Sequence, residues 1–319
     1  MNTEEIKDYK YTGHIGQTFI YLFKLFRLFI FRNDWKVLPM AAVIAGMVSM
    51  VVGKGLFLTM EGTLQGAFAL SCVCIWNGFF NSIQLICRER PVIKREHRAG
   101  LHMTSYVSAH LIFQMLLSAA QSAITIAVCK FSGVQFPESG LIAPTPDGFI
   151  AELFITLFLI TYSADILALM ISALVHTTTT AMTVMPFMLI VQLVFAGYFS
   201  IPDVLKDVTD MMISKWGTQG LCALARYNDL PAVLIWNRMV AAGNVDIGGM
   251  MKLSDVMRMI EENGLKDRVL SELGKATQNA AYVSTADNLI SCWGHLAAFS
   301  LVFAFLTVVF MEFIDRDRR

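Results

Sequence analysis

Long apolar stretches separated by short polar segments dominate the chain. A bilayer core about 30 Å thick takes about 20 residues of helix, because every backbone N–H and C=O group must be paired within the segment. Six stretches reach this length with few charged side chains. They cover approximately residues 37–58, 64–86, 103–129, 149–175, 180–201 and 288–311. The pattern predicts an all-α membrane protein with six transmembrane helices.

Two further segments predict helices that do not cross the membrane. Ahead of the first span, apolar residues recur at helical spacing while Lys24 and Arg27 lie on another face, which is typical of an amphipathic helix in the membrane interface. We expect residues 1–36 to form the cytoplasmic N-terminus and this elbow helix. Before the last span, residues 202–287 predict an extracytoplasmic cap with short helices, one near Trp216 and one over 256–273.

Composition and charge placement support this organisation. The chain is 55% hydrophobic and 16% charged, with a mean hydropathy of +0.57, whereas about 25% charged residues is usual for soluble domains. Lys and Arg total 25, as do Asp and Glu, so no positive excess indicates nucleic-acid binding. Basic residues concentrate before the first span, in the 87–102 loop and after the last span. By the positive-inside rule, both termini and that loop are predicted to be cytoplasmic.

The expected domains follow from these boundaries. The first five spans and the 87–102 loop occupy residues 37–201, and the last span with its cytoplasmic tail occupies 288–319. The N-terminus lacks the apolar core of a cleaved signal peptide, so we expect it to stay in the cytoplasm.

Catalytic and metal-binding motifs are not evident. We find no GxSxG, HExxH or GxxxxGK[ST] pattern, and His97 and His102 are five apart, which does not place two ligands on one helix face. We therefore expect no catalytic site, metal or cofactor on this chain. Cys222 and Cys292 both fall on the predicted outer side, where a disulfide is conceivable, although free thiols are favoured.

Ionisable residues within the predicted spans are candidates for function, because a charge in hydrocarbon is costly. They are His110, Glu152, Asp165 and His295. Counted along the helices, His110 and Asp165 lie at comparable depths and are predicted to be able to pair, either as a structural hydrogen bond or as part of a transport route. The polar stripe Asn77, Asn81 and Gln84 leaves two interpretations open: contacts between helices, or the lining of a cavity.

The basic loop carries a resemblance to a known family. It reads Glu89-Arg90-Pro91-Val92-Ile93-Lys94-Arg95-Glu96-His97-Arg98-Ala99-Gly100, followed by Ser105-Tyr106. This resembles the loop of the G subfamily of ABC transporters, the white-type and multidrug half-transporters. Weaker similarity continues at Ser163-Ala164, Phe195-Ala196-Gly197 and Ser214-Lys215-Trp216-Gly217. The order of these short motifs along nearly the whole chain makes the resemblance moderately specific.

The resemblance implies roles for matching positions. Residues that would form a coupling helix docking on an ATPase domain are Glu89, Arg90, Arg95 and Glu96. Residues that would line a cavity between two protomers are Leu70, Cys74, Asn77, Pro186, Ile190 and Leu193. Tyr198 and Phe199 would close that cavity towards the outside. An aromatic clamp of the multidrug members is replaced here by Asn77, which argues against flat aromatic substrates.

The leading hypothesis is the permease subunit of an ATP-driven exporter, working as a dimer by alternating access. ATP and Mg²⁺ would bind to an ATPase on another chain or on a part of the protein outside this sequence. We expect it in a bacterial plasma membrane, with a second protomer, the ATPase and lipid as partners. Two alternatives from other classes remain: a membrane-embedded enzyme using His110, Glu152 and Asp165, and a channel or scaffold that functions without any ATPase.

Overall fold

The computed structural model describes residues 13–145, 147–198, 202–242, 246–247, 251–274 and 279–313, and these are almost entirely helical. The α-helices in these ranges are α1 (His14–Phe31), α2 (Val37–Val52), α3 (Met60–Ser82), α4 (Leu85–Arg98), α5 (Met103–Phe131), α6 (Gly148–Leu174), α7 (Thr178–Val194), α8 (Lys206–Asp210), α9 (Ile213–Leu224), α10 (Leu230–Ala241), α11 (Leu253–Glu262), α12 (Lys266–Gly274) and α13 (Ala286–Glu312). A two-residue antiparallel ribbon joins β1 (Asp246–Ile247) to β2 (Met251–Lys252).

The all-helical membrane class is confirmed, and five of the described helical segments are long and apolar enough to cross a membrane. These segments contain α2, α3, α5, α6 and α13. The remaining predicted span corresponds to α7, which is apolar but has only 17 residues. At 1.5 Å per residue it measures about 25 Å, so helix length alone does not make α7 a sixth span.

α7 is shorter than the predicted segment 180–201 at its far end. The side chain of Thr177 caps its start by accepting a hydrogen bond from the N–H of Thr180 at 3.2 Å, as the run of threonines predicts. After Val194 the chain turns, and Gly197 adopts a left-handed φ of +81° that favours glycine. Residues 199–201 lie outside the described residues.

The second predicted span also ends earlier than expected. α3 stops at Ser82, and α4 starts at Leu85, so Ile86 belongs to the next helix instead of the span. The Oγ atom of Ser172 on α6 accepts the N–H groups of Ile86 and Cys87 at 3.1 and 3.2 Å. These N–H groups in the first turn of α4 have no partner within the helix, so α6 stabilises the break between α3 and α4.

α6 is the central helix of the bundle and packs against α3, α5 and α13. At Gly78 the backbones of α3 and α6 lie in contact: an added Cβ would come within 2.5 Å of the carbonyl oxygen of Thr161 and 2.7 Å of the amide nitrogen of Asp165. A side chain at Gly78 would force the two helices apart. This close approach brings the end of α3 beside Asp165.

α9 lies inside the bundle, which corrects the prediction of a helix packed on its outer mouth. Nearly the whole of α9 is buried, and it packs against α3, α6 and α13. Ser214 fixes its start, because its N–H donates to the side-chain oxygen of Gln192 at 3.1 Å and its hydroxyl donates to the Gln192 carbonyl at 2.5 Å. Small residues such as Gly217, which faces Ile160, permit this close packing.

The single helix predicted over 256–273 is two helices, α11 and α12. They are separated at Gly264, whose φ of +66° is left-handed. Such a conformation ends an α-helix and is readily adopted by glycine.

Candidate functional site

α4 is held in place by a buried arginine at its centre. Arg90 is 9% exposed, and its Nη1 donates to the carbonyl oxygens of Ala173 at 3.1 Å and Val175 at 2.7 Å. These carbonyls belong to the C-terminal end of α6, where backbone acceptors lack helical partners and a cation is favourable. Arg90 therefore attaches α4 to α6. Its predicted contact with an ATPase stays a prediction.

Both glutamates of α4 that were assigned to the ATPase contact are engaged by α1. Glu96 accepts a hydrogen bond from the hydroxyl of Tyr21 and lies 3.6 Å from Nζ of Lys24. Glu89 lies 3.7 Å from Nη1 of Arg32. The described contacts of Glu89 and Glu96 join two parts of the same chain, and their role in coupling to an ATPase stays a prediction.

Burial raises the pKa of Tyr21 above its usual value, and the contact with Glu96 raises that pKa further. The phenol therefore stays protonated across the physiological range and remains a donor to Glu96. We call the contacts of Tyr21, Lys24 and Arg32 with Glu89 and Glu96 the α1–α4 clamp.

The start of α1 is attached to the turn after α4. The side chain of Gln17 donates to the carbonyl of Gly100 at 3.1 Å and accepts from the N–H of His102 at 3.0 Å. The rings of His14 and His102 stack with centroids 3.7 Å apart. These contacts attach the start of α1 directly to the 99–102 turn.

The remaining face of α4 points away from the bundle. Arg88, Pro91, Val92 and Arg95 are exposed, and spacings of three and four residues place them on one face. Among the residues assigned to coupling from the sequence, only Arg95 lies on this face. We call these four residues the exposed α4 face.

The centre of the bundle contains a fully buried carboxyl group, that of Asp165. Its oxygens accept hydrogen bonds from the hydroxyl of Ser82, from the amide of Asn81 at 3.3 Å and from the hydroxyl of Ser118 at 3.2 Å. The side chains of Asn81 and Gln121 also exchange two hydrogen bonds, at 2.9 and 3.0 Å. This polar network connects α3, α5 and α6, which supports the helix-contact interpretation of the polar stripe at Asn81.

His110 does not pair with Asp165. Asp165 is level with Ser118, which lies eight residues, or about 12 Å, beyond His110 along α5. Neither ring nitrogen of His110 has a hydrogen-bond partner among the described residues, although the side chain is 1% exposed. Counting residues from the helix ends therefore gave the wrong partner.

Glu152 and His295 are engaged in local contacts. The carboxylate of Glu152 accepts the backbone N–H groups of residues 141, 142 and 143 at 2.7–2.8 Å, so it orders the loop between α5 and α6. The ring of His295 stacks on Trp216, with centroids 3.7 Å apart. Glu152 and Asp165 are thirteen residues apart on α6 and belong to separate networks, which gives an enzyme hypothesis no shared site.

The six positions assigned to the cavity fall into two groups. Leu70, Cys74 and Asn77 on α3 are buried within the protomer, so their assignment to an open cavity lining is not supported by this packing. On α7, Pro186 and Ile190 are exposed and Leu193 is half-buried. The α7 positions therefore lie on a surface that is free within one protomer, and their role stays a prediction.

The predicted outer closure is described at one of its two residues. The ring of Tyr198 stacks on Phe68 of α3, with centroids 5.0 Å apart, while Phe199 lies outside the described residues.

All six cysteines are free thiols, including Cys222 and Cys292. Within the described ranges, no group of three or more His, Cys, Asp and Glu side chains is placed to hold a metal ion.

A bundle of long apolar helices around a buried polar network defines an integral membrane protein. The profile of the ABC-2 type transporter family matches residues 17–224, which is more than half of the chain. The chain therefore belongs to the ABC-2 type transporter family and is a transmembrane permease domain of an ABC transporter. A domain of this family is the membrane subunit of a transporter and not an enzyme, and it generally pairs with an ATPase subunit. No curated protein matches the chain.

Proposed function

We propose that this chain is the permease subunit of an ATP-driven exporter and that α4 is its coupling helix. The observation that carries the proposal is the arrangement of α4, which is fixed to α6 by Arg90 and to α1 by the clamp while Arg88, Val92 and Arg95 remain exposed. A helix that transmits a partner's movement needs rigid attachment on one side and a free surface on the other.

The exposed α4 face is the proposed contact for the ATPase, in place of the glutamates. Its charged members are arginines, so the complementary surface of the ATPase would be acidic, with an apolar contact at Val92. ATP and Mg²⁺ would bind to that subunit. Its movements would be transmitted from α4 to α6 through Arg90, and from α4 to α1 in the membrane interface through the α1–α4 clamp. The position of α1, with a large apolar exposed surface, suits an elbow helix in the cytoplasmic interface.

We further propose a homodimer in which the exposed side of α7 faces the second protomer. Phe187 is 67% and Ile190 is 56% exposed, and both lie on the side that also carries Pro186. Alternation between two packings of α7 would open the cavity first inward and then outward. The proposed location is the bacterial plasma membrane with both termini in the cytoplasm.

The docking proposal is tested by ATP hydrolysis of the complex purified in mild detergent from its native cells. Arg95→Glu reverses a charge on the exposed α4 face, and we expect the co-purifying, vanadate-sensitive hydrolysis to fall at least tenfold. Lys130→Glu is the matched control, because Lys130 is also an exposed basic residue but lies near the C-terminal end of α5, the end away from α4. Wild-type protein without any associated ATPase, or an Arg95→Glu variant with undiminished hydrolysis, would overturn the proposal.

A further inference from the structure

A cavity of about 220 Å³ lies beneath α1, between that helix, the start of α2, the α3–α4 break and α5. Apolar side chains from α1 and α5 form much of its wall. They include Leu28, Phe29, Phe113 and Leu117. Met182 of α7 also lines the cavity, so the cavity adjoins the exposed side of α7 that is proposed to face a second protomer.

Two buried polar side chains in the wall have unsatisfied hydrogen-bonding atoms. His110 and Gln114 are each 1% exposed, and they lie one turn apart on α5. Neither nitrogen of His110, nor the Oε1 of Gln114, has a hydrogen-bond partner among the described residues. Buried polar groups in native proteins are nearly always satisfied by protein, water or ligand, and both of these residues line the cavity.

The polar side chains deep in this cavity are amides and an imidazole, which carry no permanent charge. Four charged residues also line the cavity: Arg32, Asp34, Arg88 and Glu89. Arg32 and Glu89 are paired with each other at 3.7 Å as part of the α1–α4 clamp. A quaternary ammonium group has no N–H or O–H to donate to the buried, unpartnered Oε1 of Gln114. A hydroxyl or amide group can both donate to Oε1 of Gln114 and bond a ring nitrogen of His110.

We propose that this cavity binds a neutral amphiphile from the adjoining membrane leaflet, with its hydroxyl or amide group at His110 and Gln114 and its hydrocarbon part against the apolar wall. This proposal deepens the proposed transport function by naming the class of substrate. It rests on that function, because a bound amphiphile is a substrate only if the protein transports it. Binding itself needs no ATPase, so the two proposals can fail separately.

The test uses a photoactivatable monoacylglycerol that carries a diazirine in its chain, added to the purified full-length chain in lipid nanodiscs. We expect saturable labelling of the peptides that contain α1 and the first half of α5. The double variant His110→Leu/Gln114→Leu keeps side chains of similar volume but removes the polar groups, and it should reduce labelling at least fivefold. Leu28→Trp, which fills the cavity from α1, should reduce it similarly.

Met115→Leu is the matched control, because Met115 is on the same helix but exposed outside the cavity, and it should label like wild type. A probe with the same chain and a quaternary ammonium head should label at least fivefold less. Unsaturable wild-type labelling, equal labelling by the charged probe, or undiminished labelling of both cavity variants would overturn the proposal. Labelling by a chain that associates with no ATPase would keep the site and remove the exporter function.

Discussion

Asp165 is the residue on which the packing of three helices depends. It is fully buried and accepts hydrogen bonds from Ser82 and Asn81 on α3 and from Ser118 on α5. Hydrogen bonds to a charged or polar acceptor in a low-dielectric core are strong. Removing the acceptor leaves each buried donor without a partner, which lowers the free energy of unfolding.

Replacing Asp165 should therefore destabilise the bundle in a graded way. We expect Asp165→Ala to lower the free energy of unfolding by at least about 2 kcal/mol, because three donors lose their acceptor. Asp165→Asn should cost less, since its amide oxygen still accepts. Thermal unfolding in detergent measures both, with the exposed Asp210→Asn as a control, and equal stability of all the variants would contradict the role of the network.

Glu152 should control the order of the loop between α5 and α6. It is the acceptor for three successive backbone N–H groups, so Glu152→Ala leaves those groups without a partner and should speed proteolytic cleavage within 133–145 several-fold. Asp147→Ala, in the same loop but exposed and without a side-chain cap bond, should cleave like wild type. Unchanged cleavage of Glu152→Ala would show that the loop is held by other contacts.

The sequence identified the ionisable residues of the spans correctly but not their partners. Counting residues from the helix ends gives no relative depth, because packing sets the axial offset of α5 against α6: Asp165 lies level with Ser118 and not with His110. The polar stripe on α3 did contain usable information, because Asn81 bonds both Asp165 and Gln121. The cavity beside His110 had no comparable signal, since α1 is far from α5 in sequence.

At the scale of elements, the α1–α4 clamp is the feature that the sequence did not predict. Amphipathic periodicity located α1 and charge located α4, but neither indicates that Glu96 binds Tyr21 and Lys24. Similarly, α9 was predicted as amphipathic, and only the packing of its small residues against α3 and α6 places it inside the bundle.

The clamp predicts a measurable coupling energy between α1 and α4. In a double-mutant cycle of Tyr21→Phe and Glu96→Gln, we expect about 1 kcal/mol of interaction, a value limited by the partial exposure of Glu96. A corresponding double-mutant cycle of Lys24 with Glu96 should give a smaller interaction energy, because an exposed ion pair is screened by solvent. Additive effects of Tyr21→Phe and Glu96→Gln on unfolding would contradict a direct energetic link between the helices.

At the scale of the whole molecule, the exposed side of α7 is expected to be covered by a second copy of this chain. Ile190→Cys should form a symmetric disulfide between two copies in membranes under mild oxidation. Phe305→Cys, on the exposed face of α13, is the control and should remain monomeric on a non-reducing gel. Cross-linking through Phe305 and not Ile190 would place the dimer interface on another helix.

The central claim is that the exposed α4 face contacts an ATPase, and site-specific photo-cross-linking in native cells tests it most directly. A benzoylphenylalanine placed at Val92 should capture a single protein that binds and hydrolyses ATP, while the same group at Lys130 should not capture it. Cross-linking at Val92 to a protein without ATPase activity, or equal capture from both positions, would contradict the account.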